Sequence, residues 1–192
     1  MKIKIFFTNF CLIFVGCLLL SSCAYTTNNF KNSDMDFSSI QKVAILPFQN
    51  LTSDDNAAER VRETFMGMLQ ATRAVYVVPP GEVARAINLA NMHNPSEPSA
   101  AEIKTLANIL KVQAVVTGVL KEYGSVHSGA SEANVISIQM RMLETETGTV
   151  VWSASSTKGG ITIWDRLLGG GGKPMDVVTE AAINDLLNKL FK

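Results

Sequence analysis

Residues 114–120 have the sequence Ala-Val-Val-Thr-Gly-Val-Leu, an almost unbroken apolar run of strand length. A valine-rich run that does not alternate with polar residues is typical of a strand covered on both faces. Directly upstream, residues 100–110 carry apolar side chains at helical spacing. Ser99 and Glu102 have the spacing of a capping box at the start of that helix. A helix followed directly by a covered strand predicts an α/β unit.

The chain before this unit repeats the alternation of strand and helix. Residues 42–48, Lys-Val-Ala-Ile-Leu-Pro-Phe, predict a buried first strand, with Pro47 near the end, where a backbone donor is dispensable. Residues 57–71 predict a helix, residues 75–78 a second strand and residues 82–91 another helix. The resulting order, β-α-β-α-α-β, predicts a partly parallel sheet.

The chain after this unit changes pattern. Residues 134–143 alternate between apolar and polar side chains, which is typical of a strand with one wet face. A turn at Gly148 and a second alternating run over residues 150–155 predict a hairpin, and residues 176–191 predict a final helix. The predicted fold class is therefore α/β (α+β), a mixed sheet with a parallel start, an antiparallel hairpin and helices packed on the sheet. Residues 124–132 are polar and predict a plain loop, too short and too polar for a membrane-crossing hairpin.

The N-terminus resembles a bacterial lipoprotein signal sequence. Lys2 and Lys4 precede an apolar run over residues 5–20, and Leu20-Ser21-Ser22-Cys23 matches a lipobox. The resemblance implies attachment of a diacylglycerol to the Cys23 sulfur, cleavage between Ser22 and Cys23, and acylation of the new amine. Ala24 is not Asp, which in the enteric pattern implies the inner face of the outer membrane. The alternative is an ordinary secretory signal that happens to end near a cysteine.

These features divide the chain into three parts. Residues 1–22 are the predicted signal peptide, residues 23–39 a lipidated flexible tether rich in Asn, Thr and Ser, and residues 40–192 the folded periplasmic domain. Fully extended, the tether would reach roughly 55 Å. We therefore expect the domain to stay close to the membrane.

Composition limits the classes of partner and chemistry. The chain has 17 basic and 17 acidic residues, and loss of Lys2 and Lys4 leaves the mature chain at about −2, so we expect no nucleic-acid partner. Cys11 and Cys17 leave with the signal, so we expect no disulfide and no metal site. His93 and His127 are the two histidines, and no G-x-S-x-G or H-E-x-x-H motif occurs. We expect no enzyme, although a triad assembled in space around His127 stays open.

Residues 159–174, Gly-Gly-Ile-Thr-Ile-Trp-Asp-Arg-Leu-Leu-Gly-Gly-Gly-Gly-Lys-Pro, place apolar side chains between two glycine clusters. Two interpretations stay open. The apolar residues fold back onto the core, or they protrude and contact lipid or a neighbouring subunit, for which an amphipathic Trp ring is suited. A phosphate-binding loop does not fit, because Pro174 stands where that motif needs Ser or Thr. The candidate contact residues are Ile161, Ile163, Trp164, Leu167 and Leu168.

Four segments together resemble the CsgG-type domain: residues 42–50, 75–80, 110–123 and 143–155. That superfamily includes the curli secretion lipoprotein CsgG, the penicillin-binding-protein activator LpoB and the Pel polysaccharide export lipoprotein PelC. The resemblance implies a mixed sheet with helices packed on it, a periplasmic location and no catalytic activity. The resemblance to PelC adds weight to the protruding interpretation, because that family forms rings at the outer membrane.

These observations predict an outer-membrane lipoprotein that faces the periplasm and acts in envelope assembly or export as a homo-oligomer. Its expected partners are membrane lipid, through Cys23, and envelope export or cell-wall machinery. We expect no cofactor beyond the covalent diacylglycerol and N-acyl chain. One alternative is a monomeric, LpoB-like regulator of a periplasmic cell-wall synthase, which the short tether disfavours. Another is a surface-exposed lipoprotein of unknown role.

Overall fold

Seven strands form one mixed sheet in the computed structural model, which describes residues 29–128, 131–160 and 172–191. The sheet order is β1-β7-β6-β5-β2-β4, and β3 pairs with β5. The strands are β1 (Asn29–Lys31), β2 (Lys42–Ile45), β3 (Gln49–Asn50), β4 (Tyr76–Val77), β5 (Ala114–Ser128), β6 (Ser131–Glu144) and β7 (Val150–Gly159). The helices are a short 3-10 helix (Phe37–Ser39), α1 (Ala57–Thr72), α2 (Pro80–Leu89), α3 (Ala100–Leu110) and α4 (Met175–Phe191).

The sheet has a parallel part and an antiparallel part that meet at β5. β2 pairs in parallel with β4 and β5, and β3 pairs in parallel with β5. On its other edge β5 pairs antiparallel with β6, which is followed by β7 and β1. This arrangement confirms the predicted mixed sheet with a parallel start and an antiparallel hairpin.

Helices cover both faces of the sheet where β2 and β5 lie side by side. α1 and α4 pack on one face against Val43, Ile45 and Val116, while α2 and α3 pack on the other face against Ala44 and Val115. Successive residues of a strand point to opposite faces. Residues 114–118 are therefore all buried, and this explains the unbroken apolar run of β5.

The predicted wet strand is confirmed. Ile136, Ile138, Met140 and Met142 of β6 are buried under α1 and α4. Gln139, which lies on the opposite face of the same strand, is only half-buried.

The predicted helices form, with small shifts at their ends. Ser99 Oγ accepts a hydrogen bond from the Glu102 backbone N–H at 3.3 Å, and the Ser99 N–H donates to Glu102 Oε2 at 2.8 Å, which completes the capping box of α3. α2 begins at Pro80 rather than at residue 82. Proline suits the first helical position because the N–H that it lacks would have no partner there.

The prediction of a loop over residues 124–132 is wrong for most of this stretch, because β5 runs to Ser128 and β6 begins at Ser131. Gly124 pairs with Val135, Val126 with Ala133, and the ladder runs to the pair Ser128–Ser131. A ribbon of two strands exposes both faces to water, so polar side chains on both faces do not oppose the pairing. A polar composition therefore did not distinguish an exposed ribbon from a loop.

The prediction of a flexible tether over residues 23–39 is wrong for its second half. β1 pairs antiparallel with β7, and the side chains of Met35 and Phe37 pack against the core. Asp36 caps the 3-10 helix by accepting a hydrogen bond from the Ser38 N–H at 2.9 Å. Polar residues of this kind order turns and helix starts as readily as they populate disordered linkers.

No helix within the described ranges is long and apolar enough to cross a bilayer.

Candidate functional site

One end of the sheet extends beyond the helical layers, and we call it the hairpin end. It consists of residues 121–128 and 131–137 with residues 158–160 and 172–177. The last pairing of β5 with β3 joins Leu120 to Asn50, and beyond it β5 continues for another eight residues, or roughly 25 Å. Along this distance β6 is the one strand of the described residues that pairs with β5. The opposite end of the sheet, at the β6–β7 turn and the end of α4, is called the far end.

A cluster at the start of α1 fixes the base of the hairpin. The Arg60 guanidinium lies 5.5 Å from the centroid of the Tyr123 ring and forms an ion pair with Asp54. The Asn50 amide donates to the Asp54 carbonyl at 2.8 Å, and the Leu51 N–H donates to the Leu120 carbonyl at 2.9 Å. The loop before α1 and its first turn are thus joined to β5 just where the unsupported ribbon begins.

Both flanks of the apolar segment 161–171 are attached to the same short stretch of β6. The Gly160 N–H donates to the Asn134 carbonyl at 2.9 Å, and the Gly172 N–H donates to the Glu132 carbonyl at 3.2 Å. The Asn134 side-chain amide also donates to the Lys173 carbonyl at 2.9 Å. Gly160 and Gly172, on either side of segment 161–171, therefore both lie at the hairpin end.

Two glycines permit this close attachment. Gly159 has a φ of 86°, and a Cβ there would lie 2.0 Å from the Asn134 carbonyl oxygen. A Cβ at Gly172 would lie 2.5 Å from the Ala133 Cα. Either contact is far closer than real Cβ atoms show. From the sequence, the glycine clusters were recognisable as flanks of the apolar residues, but not as positions that let the backbone approach β6. The available signal was the glycine pair at the end of an alternating strand.

The predicted contact residues lie outside the described residues. This applies to Ile161, Ile163, Trp164, Leu167 and Leu168, and also to the lipidation and cleavage residues Ser22 and Cys23. Two apolar side chains of the hairpin end are described and exposed. Val126 on β5 is 39% exposed, and Val177 in the first turn of α4 is 44% exposed.

The charges of the hairpin end balance. The basic residues Lys121, Lys158 and Lys173 stand against three acidic ones, Glu122, Glu132 and Asp176. A surface of this kind has no net attraction for anionic lipid headgroups or other polyanions.

The two histidines occupy different places. His127 lies on β5 rather than in the loop predicted from the sequence, with its Nε2 3.5 Å from Glu132 Oε1 on the neighbouring strand. Both of these side chains are exposed. His93 lies in the exposed connection between α2 and α3, as predicted. Within residues 29–128, 131–160 and 172–191, no group of three or more His, Cys, Asp or Glu side chains is arranged to hold a metal ion.

Among the described residues, the depressions at the far end include two with contrasting linings. One, of about 850 Å³, is lined by both basic and acidic side chains, among them Lys104, Lys111 and Glu144. The other, of about 170 Å³, is mostly apolar and includes Phe37, Met142 and Phe191 in its lining.

Glu144, in the lining of the first depression, stabilises the β6–β7 turn. Its carboxylate accepts hydrogen bonds from the backbone N–H groups of Glu146 at 2.7 Å and Thr147 at 2.9 Å. Burial alone would raise the pKa of Glu144, but the hydrogen bonds from the Thr147 hydroxyl and from these N–H groups hold the pKa below its usual value. The carboxylate thus closes the β6–β7 turn.

Comparison with known proteins supports this fold. None of the curated protein sequences matches the chain. Among solved structures, the PelC dodecamer from Paraburkholderia phytofirmans is 19% identical, with a TM-score of 0.58 over 85% of this chain and 96% of that one. Lipoprotein GNA1162 from Neisseria meningitidis is 20% identical, with a TM-score of 0.55 over 77% of this chain and 99% of that one. The LpoB C-terminal domain from Salmonella enterica is 14% identical, with a TM-score of 0.46 over 73% of this chain and 90% of that one.

At these identities the structural likeness shows the fold alone. The family is shown by a sequence model, described as GNA1162-like lipoprotein, that matches residues 30–190. The predicted lipoprotein class is thereby supported, whereas the CsgG label itself stays a prediction. The matched residues include Phe30 and Lys31 of β1 and the 3-10 helix, which agrees with the ordered segment before β2. The chain belongs to the GNA1162-like family of lipoproteins.

Proposed function

We propose that the protein is a lipoprotein anchored through Cys23 in the outer membrane, with its domain in the periplasm, and that it acts in envelope assembly or export as a homo-oligomer. It has no catalytic role in this proposal and needs no cofactor beyond its acyl chains. The observation that carries the proposal is the attachment of both flanks of the apolar segment 161–171 to residues 132–134. This gives the segment a fixed base at one end of the domain.

Lipidation has two supports. The chain belongs to a family of lipoproteins, and Cys23 is the one cysteine that would remain after cleavage at the lipobox. Each acyl methylene that enters the bilayer contributes about 0.8 kcal/mol, so two or three chains hold a domain firmly. A Cys23→Ser change should release the protein into the soluble periplasmic fraction. Retention of that variant in the membrane fraction would contradict the anchor.

Self-association is supported by the apolar segment and by the fold. Ile161, Ile163, Trp164, Leu167 and Leu168 are five large apolar residues within eight positions, a composition that suits contact with lipid or with a second copy of the chain. PelC, which has the same fold, is a dodecamer in its solved structure. In this proposal the segment contacts the membrane, a neighbouring subunit, or both.

The decisive experiment is the mass of the acylated protein in mild detergent, measured by light scattering behind a sizing column. We expect a defined high-order oligomer. A clean monomer would overturn the oligomeric proposal. In the same assay, Trp164→Ala should weaken assembly or liposome binding while the melting temperature stays nearly unchanged. A large loss of stability would instead show that Trp164 belongs to the core.

The regulator alternative is disfavoured by the length of the chain before β1. Since Asn29 is already part of the sheet, six residue steps separate Cys23 from the folded domain. They span at most about 22 Å, less than half the reach expected from the sequence. A monomer that forms a one-to-one complex with a cell-wall synthase would favour the regulator nonetheless. Digestion of the domain by protease added to intact cells would favour a surface lipoprotein.

A further inference from the structure

The direction of β1 bears on where an acyl anchor on Cys23 would lie relative to the domain. β1 is antiparallel to β7, with Asn29 beside Ala154 and Lys31 beside Trp152. Going backwards along the chain from Lys31 to Asn29 therefore leads along β7 towards Gly159. β1 therefore begins, at Asn29, on the side that faces the hairpin end.

The distances agree with this direction. Five residues of β7 separate Ala154 from Gly159, or about 17 Å along the strand. The six steps from Cys23 to Asn29 span about 20 Å when extended. Cys23 can therefore reach the level of Gly159 but not far beyond it. The hairpin continues past Gly159, since Val135 pairs with Gly159 and β6 extends to Ser131, a further 13 Å or so.

Anchoring from the far end would need more chain than is present. If Cys23 lay towards the far end, the residues between Cys23 and Asn29 would have to reverse direction, and a tight turn uses about four residues. The remaining two would span about 7 Å, whereas Ala154 and Val150 are about 13 Å apart along β7. α4 adds to the separation of the two ends. Its Val178 packs beside Gly159 and its Lys189 carbonyl accepts from Trp152 Nε1 at 3.3 Å, so this helix of about 25 Å runs from one end to the other.

We propose that the hairpin end of the domain lies in the headgroup layer of the bilayer, with Val126 and Val177 at the contact, and that the far end faces away from the membrane. The proposal rests on the proposed lipidation of Cys23. Ser125, His127 and Glu132 suit the hydrated headgroup layer, because unpaired polar and charged groups are costly in hydrocarbon. The balanced charges imply that the contact depends little on salt or on anionic lipid.

Fluorescence quenching tests this orientation on the full lipidated protein. Val126→Cys, Val177→Cys and, as the matched far-end control, Glu146→Cys each introduce one free thiol, because acylation occupies the Cys23 sulfur. Each variant is labelled with a fluorophore and reconstituted in phosphatidylethanolamine and phosphatidylglycerol vesicles that contain a headgroup nitroxide lipid. We expect probes at positions 126 and 177 to lose most of their fluorescence and the probe at position 146 to keep it, equally at low and high salt.

The outcomes separate the two proposals. The intact mass of the purified protein first shows whether Cys23 is acylated. A chain without the diacylglycerol mass overturns the proposed function and, with it, the orientation. An acylated chain whose probe at position 146 is quenched as strongly as the probe at position 126 overturns the orientation alone. Strong salt dependence of the quenching would overturn the apolar character of the contact.

Discussion

Residues 114–120 and residues 121–128 are two halves of one strand, β5, and they differ in what covers them. In the first half all side chains except Val119 are buried between two helical layers, whereas in the second half Tyr123 and Gly124 are half-buried and the remaining described side chains are exposed. Both halves pair with β6, with a bulge at Lys121 between the pairs Leu120–Ile138 and Glu122–Ser137. Backbone pairing thus continues where packing stops. The first half of β5 belongs to the core, whereas the second half forms an exposed surface.

The test with the largest expected effect shortens one side chain in each half of β5. Leu120→Ala empties a fully buried position in the core under α1 and α4, so we expect a loss of about 2–5 kcal/mol in the free energy of unfolding. Val126→Ala is the matched change in the exposed half and should stay within about 0.5 kcal/mol. Urea unfolding of the two variants measures both. Equal losses would show that the hairpin end is as tightly packed as the core.

The next test concerns the attachment of segment 161–171. Gly159 and Gly160 have nearly the same positive φ, 86° and 87°. A Cβ at Gly160 would meet none of the described residues within 4 Å, whereas a Cβ at Gly159 would meet the Asn134 carbonyl. Gly160→Ala should therefore cost only the strain of a left-handed residue, about 1–2 kcal/mol. We expect Gly159→Ala to cost more, because β7 must also move away from β6. Similar unfolding free energies would contradict the role given to close approach.

These two comparisons also show how far the sequence predicts the structure. Periodicity identified the covered half of β5, the alternating strands and the helices, because burial imposes a repeat on side-chain character. It did not identify residues 124–128 as strand, since a ribbon in water imposes no such repeat. It missed β1 because Asn29 and Lys31 pair through their backbones and their side chains are exposed.

The site was predictable only in part. The apolar residues between glycine clusters were recognisable as a candidate contact, but the attachment of their flanks to the hairpin end depends on hydrogen bonds from Gly160 and Gly172 to β6. Contacts between residues that far apart in sequence leave no local pattern. The glycines have two uses, mobility and close approach, and composition alone does not distinguish them.

A smaller effect is expected from pH. Asp185 of α4 contacts Lys189 at 2.7 Å and Lys158 of β7 at 3.5 Å. Burial would raise the pKa of Asp185, but the hydrogen bond from Lys189 and the two lysine charges lower the pKa below its usual 3.8. The ionised carboxylate therefore stabilises the fold above the unfolded-state pKa, and this contribution disappears as the pH falls through the lower folded-state value.

Asp185→Asn should accordingly lower stability at neutral pH, by less than about 1 kcal/mol, and flatten the loss of stability in acid. Glu132→Gln is the control at the hairpin end, where the carboxylate is 60% exposed and its neighbour is an exposed histidine. When melting temperature is plotted against pH, we expect this control variant to match the unchanged protein on the acid side of the plot. An unchanged profile for Asp185→Asn would mean that the contact between α4 and β7 depends on packing alone.

The smallest expected change is local and concerns the boundary between the two halves of β5. Arg60 stacks on Tyr123 and pairs with Asp54, so it joins α1 to the last part of β5 that a helix supports. Arg60→Gln should leave global unfolding nearly unchanged, because the side chain is exposed and its ion pair is screened by water. Amide hydrogen exchange should nevertheless become faster in residues 123–127 and stay unchanged in residues 114–118, since local opening follows local contacts. Faster exchange in both stretches would mean that the ribbon and the core open as one unit, and that the boundary at Tyr123 has no physical basis.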